Sequence, residues 1–137
     1  MYTKIYRLTL LLGLLTSSLH AKEHFFYTDF IKATATAYTS STVETDGNPY
    51  LAAWRNTLNP KVKSIAVSRD LIDIGLTNGM KVHIKGLKGE FLVLDKMNKR
   101  WKNRIDIYMG NDRQKALNWG RRKVVVYWVD PDYAKAR

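Results

Sequence analysis

Two isolated carboxylates, Asp95 and Asp106, lie eleven positions apart at apolar strand ends. Asp95 follows the apolar run 91–94, and Asp106 stands between two isoleucines, so both occupy positions expected for a half-buried strand. Because burial of a carboxylate without a partner is costly, acids at such positions indicate a site. A carboxyl group held there can donate and accept a proton, which is the chemistry of a general acid and base.

The first twenty-one residues have the pattern of an export signal. Lys4 and Arg7 form a positive segment, 8–15 is apolar, and a short polar segment ends at Ala21, after which we expect cleavage. The apolar run is too short for a comfortable membrane span of about 20 residues, and a retained anchor is the alternative. We therefore expect an exported protein of the periplasm or cell envelope, with no stable membrane span after cleavage.

Composition limits the classes of partner. The formal charge is +11, and removal of the two signal-peptide cations leaves +9, which favours a polyanionic neighbour. Nucleic acid, an acidic wall polymer such as peptidoglycan and an anionic membrane surface are candidates, and simple solubility is the alternative. Export favours the wall or membrane over nucleic acid. The chain has no Cys, and His24 and His83 lack a spaced carboxylate partner, so we predict no metal site and no cofactor.

Short alternating runs predict the elements that position the acids. The first strand is expected over 33–39, and five more over 64–68, 80–84, 90–94, 104–109 and 123–129. Short helices are expected over 70–74 and from 111 or 112 to 119, while 40–62 reads as a long loop. Six short strands in 116 residues predict one closed barrel, because closure removes exposed edges. We assign 1–21 to the signal peptide, 22–32 to a lead-in, 33–130 to the barrel and 131–137 to a tail.

Several short motifs follow one another in a characteristic order. They are Thr36-Ala37-Tyr38, Ile65-Ala66-Val67 with the nearby Asp70, Asp95, Arg104-Ile105-Asp106-Ile107-Tyr108-Met109-Gly110, and Ala116 through Trp119-Gly120-Arg121-Arg122. Together, over roughly 34–129, they resemble the three-aspartate (3D) domain of bacterial cell-wall proteins, a family related to the catalytic barrel of membrane-bound lytic transglycosylase A. The resemblance implies an all-β fold, a six-stranded double-psi β-barrel with one or two short helices.

The resemblance also implies roles for individual residues. Asp106 occupies the position of the family's catalytic aspartate, and Asp95 that of the second family aspartate. Ser68 stands at the position of the first, so the nearest acid is Asp70, which reaches the site only if its strand continues that far. An Asp before a short helix is otherwise a cap. Lys96-Met97-Asn98 replaces the Thr-Gly-Gly that is usual after the second aspartate.

One carboxyl group is enough for a lytic transglycosylase. Asp106 would protonate the departing sugar oxygen and then accept the proton of the muramyl 6-hydroxyl as a 1,6-anhydro product closes. This requires a raised pKa, which a neighbouring Asp95 and apolar flanks favour and which inward-pointing Lys96 or Arg104 would oppose. The alternative is that both acids cap turns or pair with arginines of the scaffold.

The loop between the acids supplies candidate substrate contacts. Rings present an apolar face to sugars, and cations pair with the peptide carboxylates of the wall polymer. The predicted substrate-binding residues are Thr36, Tyr38, Asp70, Lys96, Arg100, Trp101 and Arg104. A solvated basic turn is the alternative, and stacking on single-stranded nucleic acid fits poorly with export.

Three function hypotheses remain open. The first is a lytic transglycosylase that cleaves peptidoglycan glycan strands between MurNAc and GlcNAc. The second is a barrel that binds peptidoglycan without cleaving it, and the third is a basic structural protein that associates with an anionic polymer. We expect a monomer.

Overall fold

The computed structural model describes residues 26–41 and 47–136, so the predicted signal peptide, 1–21, lies outside the described residues. Six strands form a closed barrel in the order β1-β5-β2-β4-β3-β6. Their bounds are β1 Asp29–Tyr38, β2 Ser64–Val67, β3 Lys81–Ile84, β4 Glu90–Lys96, β5 Arg104–Tyr108 and β6 Arg122–Trp128. This confirms the predicted six-stranded barrel.

Of the strand pairs that close the barrel, two are parallel and four are antiparallel. The pairs β1/β5 and β2/β4 are parallel, whereas β1/β6, β2/β5, β3/β4 and β3/β6 are antiparallel. The barrel interior is filled by aliphatic side chains that are fully buried, among them Ala35, Ile65, Val67, Val93, Ile105 and Val126. Because successive side chains of a strand point to opposite faces, the residues between these core positions lie on the outer face.

Three short helices and one 3₁₀ turn connect the strands. They are α1 (Arg69–Asp73), α2 (Arg113–Trp119), α3 (Pro131–Lys135) and the 3₁₀ turn Ala53–Arg55. α1 and α2 match the two predicted helices. The Asp112 side chain caps α2 by accepting a hydrogen bond from the Lys115 N–H at 3.0 Å. Similarly, Asp130 accepts from the Asp132 N–H at 2.7 Å and begins α3 inside the segment that we expected to be a tail.

The first strand is longer than its sequence pattern indicates. β1 begins at Asp29, four residues before the predicted start at Ala33, and its first residues pair with the end of β6 from Val125 to Trp128. The outward-facing Phe30 is 66% exposed and interrupts the apolar-in, polar-out alternation. The ring of Phe30 contacts the ring of Tyr127, with 6.1 Å between the centroids.

The described part of the long loop, 47–62, folds back onto the outer face of the barrel. Ala52 and Leu58 are buried there against Tyr108, with Tyr38 and Leu94 packed around them. This second cluster is separate from the barrel interior, and it fixes the loop beside β4 and β5. Within the described residues, none of the helices has the length and apolar character needed to cross a bilayer.

Candidate functional site

Asp95 and Asp106 lie on one face of the barrel. Ala66 on β2 pairs with Asp106 of β5 on one side and with Asp95 of β4 on the other. Directly paired residues of neighbouring strands point to the same face, so the two acids and Ala66 all point outward. On β1, Thr36 is paired with Asp106 and extends the same line. We call Thr36, Asp106, Ala66 and Asp95 the acid row.

The spacing along the row separates the two carboxyl groups. Two steps between strands place the Cα atoms of Asp95 and Asp106 about 10 Å apart. Outward-pointing side chains of a barrel diverge rather than converge. The pair is therefore wider than the roughly 5 Å at which one carboxylate acts as nucleophile and its partner as acid in retaining glycosidases. A separation above about 5 Å is also found in inverting glycosidases, whose acid and base lie roughly 6.5–9.5 Å apart, so the spacing alone does not decide between one working acid and two.

Asp106 lies at the end of a chain of hydrogen bonds. The Thr36 hydroxyl donates to Asp106 Oδ1 at 2.9 Å. That hydroxyl in turn accepts from the Arg104 guanidinium, from Nε at 3.3 Å and from Nη2 at 3.1 Å. A guanidinium group has only donors, so the direction of the chain is fixed and the hydroxyl proton faces Asp106. Thr36 and Arg104, both predicted site residues, thus hold the carboxyl group of Asp106 in one orientation.

Asp95 holds the long loop in place. Its Oδ1 accepts the Ala53 N–H at 2.8 Å and the Lys96 N–H at 2.9 Å. Beside it, the Asn56 amide donates to the Leu94 carbonyl at 2.7 Å and fastens the same loop to β4. One oxygen of Asp95 is therefore engaged by backbone donors, and the residue positions the loop at one end of the acid row.

Tyr38 lies between the two acids. Its hydroxyl donates to Asp95 Oδ2 at 3.4 Å, and its ring contacts Tyr108 with 5.4 Å between centroids. The pKa of Tyr38 is raised well above its ordinary value, chiefly by burial and then by the negative charges of Asp95 and Asp106. The phenol is protonated at neutral pH and serves as a hydrogen-bond donor beside the acid row.

Trp101 carries a stack of arginines. The guanidinium carbon of Arg104 lies 3.9 Å from the ring centroid and that of Arg100 lies 4.8 Å from it. Such cation–π contacts orient a guanidinium group. A ligand at this loop would therefore meet the ring and the guanidinium groups together.

Lys96 extends from the end of β4 towards the 3₁₀ turn of the long loop. Its ammonium group lies 5.6 Å from the ring centroid of Trp54. Trp54 and Arg55 have positive φ angles of 55° and 62°, which are uncommon for residues other than glycine. Strained backbone of this kind clusters at functional sites. In the sequence, only the length of the loop indicated its importance.

Asp70 is not part of the acid row. β2 ends at Val67 and α1 begins at Arg69, so the strand does not continue far enough to carry Asp70 to the row. Its Oδ2 accepts the Asn103 N–H at 2.8 Å. Burial alone would raise the pKa of Asp70, but hydrogen bonds from Ser68 and Asn103 outweigh it and hold the pKa below its ordinary value. Asp70 therefore anchors the loop 97–103 between β4 and β5, which we call the basic loop.

Ser68, which stands where the family that the sequence resembles has an aspartate, is also structural. It is fully buried, and its hydroxyl accepts the Arg104 N–H at 2.9 Å while its own N–H donates to the Arg104 carbonyl at 2.8 Å. The start of β5, and with it the Arg104 side chain, is fixed by this contact. Among residues 26–41 and 47–136, no three potential metal ligands are clustered.

Comparisons with known proteins bear on the fold. No protein-family model and no curated protein matches the chain. Among solved structures, a Streptomyces papain inhibitor superposes with a TM-score of 0.52 at 16% identity, covering 75% of this chain and 96% of the inhibitor. The fold is a six-stranded double-psi β-barrel, as predicted.

Two expansin structures also match. Apo expansin from Clavibacter michiganensis gives a TM-score of 0.49 at 17% identity, and the chain spans 52% of its length. A mutant of that expansin in complex with cellohexaose gives 0.48 at 17% identity and 50% of its length. At these similarities the argument for function rests on the acid row and its surroundings.

Proposed function

We propose that this chain is an exported barrel of the cell envelope that acts on peptidoglycan as a lytic transglycosylase, and that it is related to the 3D-domain family. The observation that carries the proposal is the acid row. Asp106 faces outward, oriented by Thr36 and Arg104, about two strand spacings from Asp95. Asp95 Oδ1 is engaged by the backbone N–H groups of Ala53 and Lys96, which favours Asp106 as the single working acid.

In the proposed reaction Asp106 acts twice. It first protonates the glycosidic oxygen as the bond between C1 of the muramyl sugar and that oxygen breaks. It then takes the proton of the 6-hydroxyl while that oxygen forms a new bond to C1. The products are a free glycan end and a 1,6-anhydro sugar, and Asp106 is protonated again. The reaction needs no second carboxylate and consumes no water.

The surroundings of Asp106 supply contacts for an anionic glycan. Arg104 and Arg100 stack on Trp101, and Lys96 lies at the other end of the basic loop. These cations match the carboxylates of the peptide stems, and planar guanidinium groups pair with carboxylates in two-point contacts. Tyr38 adds a neutral donor between the acids. The position of each group fits substrate binding along the outer face.

Binding without cleavage is the second candidate. The hydrogen bonds of Asp95 Oδ1 to Ala53 and Lys96 tie that acid to the scaffold, which is what a purely structural residue would do. The segment Lys96-Met97-Asn98, which replaces Thr-Gly-Gly of the related family, also carries side chains where a sugar would approach the backbone. Under this reading the same basic face retains glycan strands but leaves them intact.

The test is a digestion of purified peptidoglycan sacculi, with soluble products identified by mass spectrometry. We expect 1,6-anhydromuropeptides from the unchanged protein and a rate about a hundredfold lower from Asp106→Asn. Asp73→Asn removes an exposed carboxylate on α1 and is the matched control, for which the rate should not change. Reducing ends among the products would show hydrolysis instead. Sedimentation with sacculi and no soluble products would favour the binding function.

A further inference from the structure

A second cationic feature lies outside the acid row, on the outer face of β1 and β6. A cavity of about 530 Å³ is lined by Lys32, Lys85, Asn103, Lys123, Val124 and Val125. Three of these six residues are lysines and none is acidic. This size is within the range of small-ligand sites, which run from about 300 to 1,000 Å³.

Strand register explains why the lysines meet. Lys32 is paired with Val125 across β1 and β6, and two residues further along Thr34 is paired with Lys123. Side chains two apart on a strand share a face, so Lys32 and Thr34 both point outward. Lys85 follows β3 and its N–H donates to the Val125 carbonyl at 2.9 Å, which brings a third strand end to the same place. The cluster is therefore set by the barrel's pairing.

The three ammonium groups are not neutralised by neighbouring acids. Among residues 26–41 and 47–136, the ion pairs join Lys81 to Glu90 and Lys135 to Asp132, and neither includes a cavity lysine. Lys123 donates to the Thr34 hydroxyl at 2.9 Å, a neutral partner that orients the ammonium group and leaves its charge in place. Like charges gathered without a counterion repel one another, so an anion would stabilise this arrangement.

We infer that this cavity binds a phosphate group carried on a soluble polymer of the cell envelope. Lysine binds phosphate as a point charge, and three lysines with no acid in the lining favour a polyanion that carries several phosphate charges over a single carboxylate. Val125, which is paired with Lys32 and shares its outer face, adds an apolar contact for the organic part of the ligand. A concave site of this size fits a polymer unit better than a flat membrane surface.

The placement of the polymer in the cell envelope rests on the proposed export, whereas the cavity itself does not depend on the acid row, so Asp106→Asn should bind phosphate as the unchanged protein does. The test compares three phosphate sources by titration of the ¹⁵N-labelled protein: inorganic phosphate, a glycerol-phosphate oligomer and phosphatidylglycerol vesicles. We expect the amide signals of Asn103, Val124 and Val125 to shift with inorganic phosphate and to shift at lower concentration with the oligomer. A neutral oligosaccharide of similar length should leave them in place.

Matched variants separate the cavity from the general positive charge of the protein. The variant with Lys32, Lys85 and Lys123 all changed to Gln should bind the oligomer about tenfold more weakly. A control variant with Lys81, Lys99 and Lys135 changed to Gln loses the same formal charge elsewhere and should bind within about twofold of the original. Equal weakening in both variants, binding only to vesicles, or shifts confined to residues outside the cavity would each overturn the inference.

Discussion

The Asp95 carboxylate accepts the backbone N–H of Ala53 at 2.8 Å, across 42 positions of the chain. An acid that the sequence presents as half of a catalytic pair therefore also fastens a loop to the barrel. The loop brings Trp54, with its left-handed backbone, against Lys96 at the end of β4. Asp95 thus connects the architecture of the loop to the geometry of the acid row.

Removal of the Asp95 carboxylate should release this loop. Asp95→Ala leaves the Ala53 and Lys96 N–H groups without their acceptor, which should lower the free energy of unfolding by about 1–3 kcal/mol. Asp95→Asn keeps one acceptor oxygen and should lose less. Denaturant unfolding measures the energy, and hydrogen exchange at the Ala53 amide, expected to speed up, locates the effect.

A helix cap elsewhere provides the comparison for that variant. Asp112→Ala also removes a carboxylate that accepts a backbone N–H, that of Lys115, but it does so at α2. It should destabilise the protein without local acceleration of exchange at Ala53. Identical exchange at Ala53 in both variants would contradict the loop-anchoring role of Asp95.

The shape of the Arg104 side chain, as well as its charge, should affect the rate of the proposed reaction. Arg104→Lys keeps the charge but loses the two-point contact with Thr36 and the stack on Trp101. Asp106 is then held less firmly, and we expect the rate of release of wall fragments to fall about tenfold. The measurement is the initial rate of product formation from sacculi, with binding to sacculi measured in parallel.

Arg122 offers a matched control for this substitution. Its guanidinium carbon lies 4.2 Å from the ring centroid of Trp119, so it makes the same kind of stack away from the acid row. Arg122→Lys should leave the rate unchanged. If both substitutions slow the reaction equally, the hydrogen-bond chain from Arg104 to Asp106 does not account for the loss of rate.

Tyr38 should make the fold sensitive to alkaline pH. Its pKa is raised by burial and by the charges of Asp95 and Asp106, so the folded state binds the phenolic proton more tightly than the unfolded state. The stabilisation that follows is complete below the ordinary pKa of 10.0 and is lost as the pH rises above it. The original protein should therefore lose stability above pH 10 more steeply than Tyr38→Phe, which has no proton to lose.

The check is urea unfolding from pH 7 to 11 for both proteins. The other tyrosines are common to the two, so the difference between the curves reports on Tyr38. The replacement of Tyr38 by Phe also removes the hydrogen bond to Asp95, which should lower stability at pH 7 by about 1 kcal/mol. Parallel curves up to pH 11 would show that Tyr38 titrates alike in the folded and unfolded states.

The barrel could be predicted from the sequence because its signals are local. Alternation of apolar and polar residues marks each strand, and Asp112 and Gly120 mark the two ends of α2. The shared face of Asp95 and Asp106 is different, since it depends on their common pairing with Ala66. That pairing depends on the order of the strands in the barrel. The family resemblance implied this order, but hydrophobic periodicity alone does not determine it.

Other features had no signal in the sequence. The contact between Asp95 and Ala53 uses a backbone N–H, and any residue except proline supplies one. Asp70 was placed with the other acids on the assumption that its strand continued, but the chain turns into α1 directly after Ser68. The lysine cavity unites residues far apart in the chain, and each of its lysines alone has the pattern of an ordinary surface charge.

The end of the long loop should be fixed by a close contact between Gly110 and Pro60. Gly110 has a φ of +59°, and a Cβ atom added there would lie 2.9 Å from Pro60 Cβ. Gly110→Ala therefore combines the backbone cost of a left-handed residue, about 1–2 kcal/mol, with a steric cost of about 1–3 kcal/mol. Gly86→Ala at a φ of +88° meets nothing within 4 Å, so it carries only the first cost. Thermal unfolding of the two variants should place Gly110→Ala clearly below Gly86→Ala, and equal melting temperatures would mean that Pro60 moves aside and that the loop end is not held by this contact.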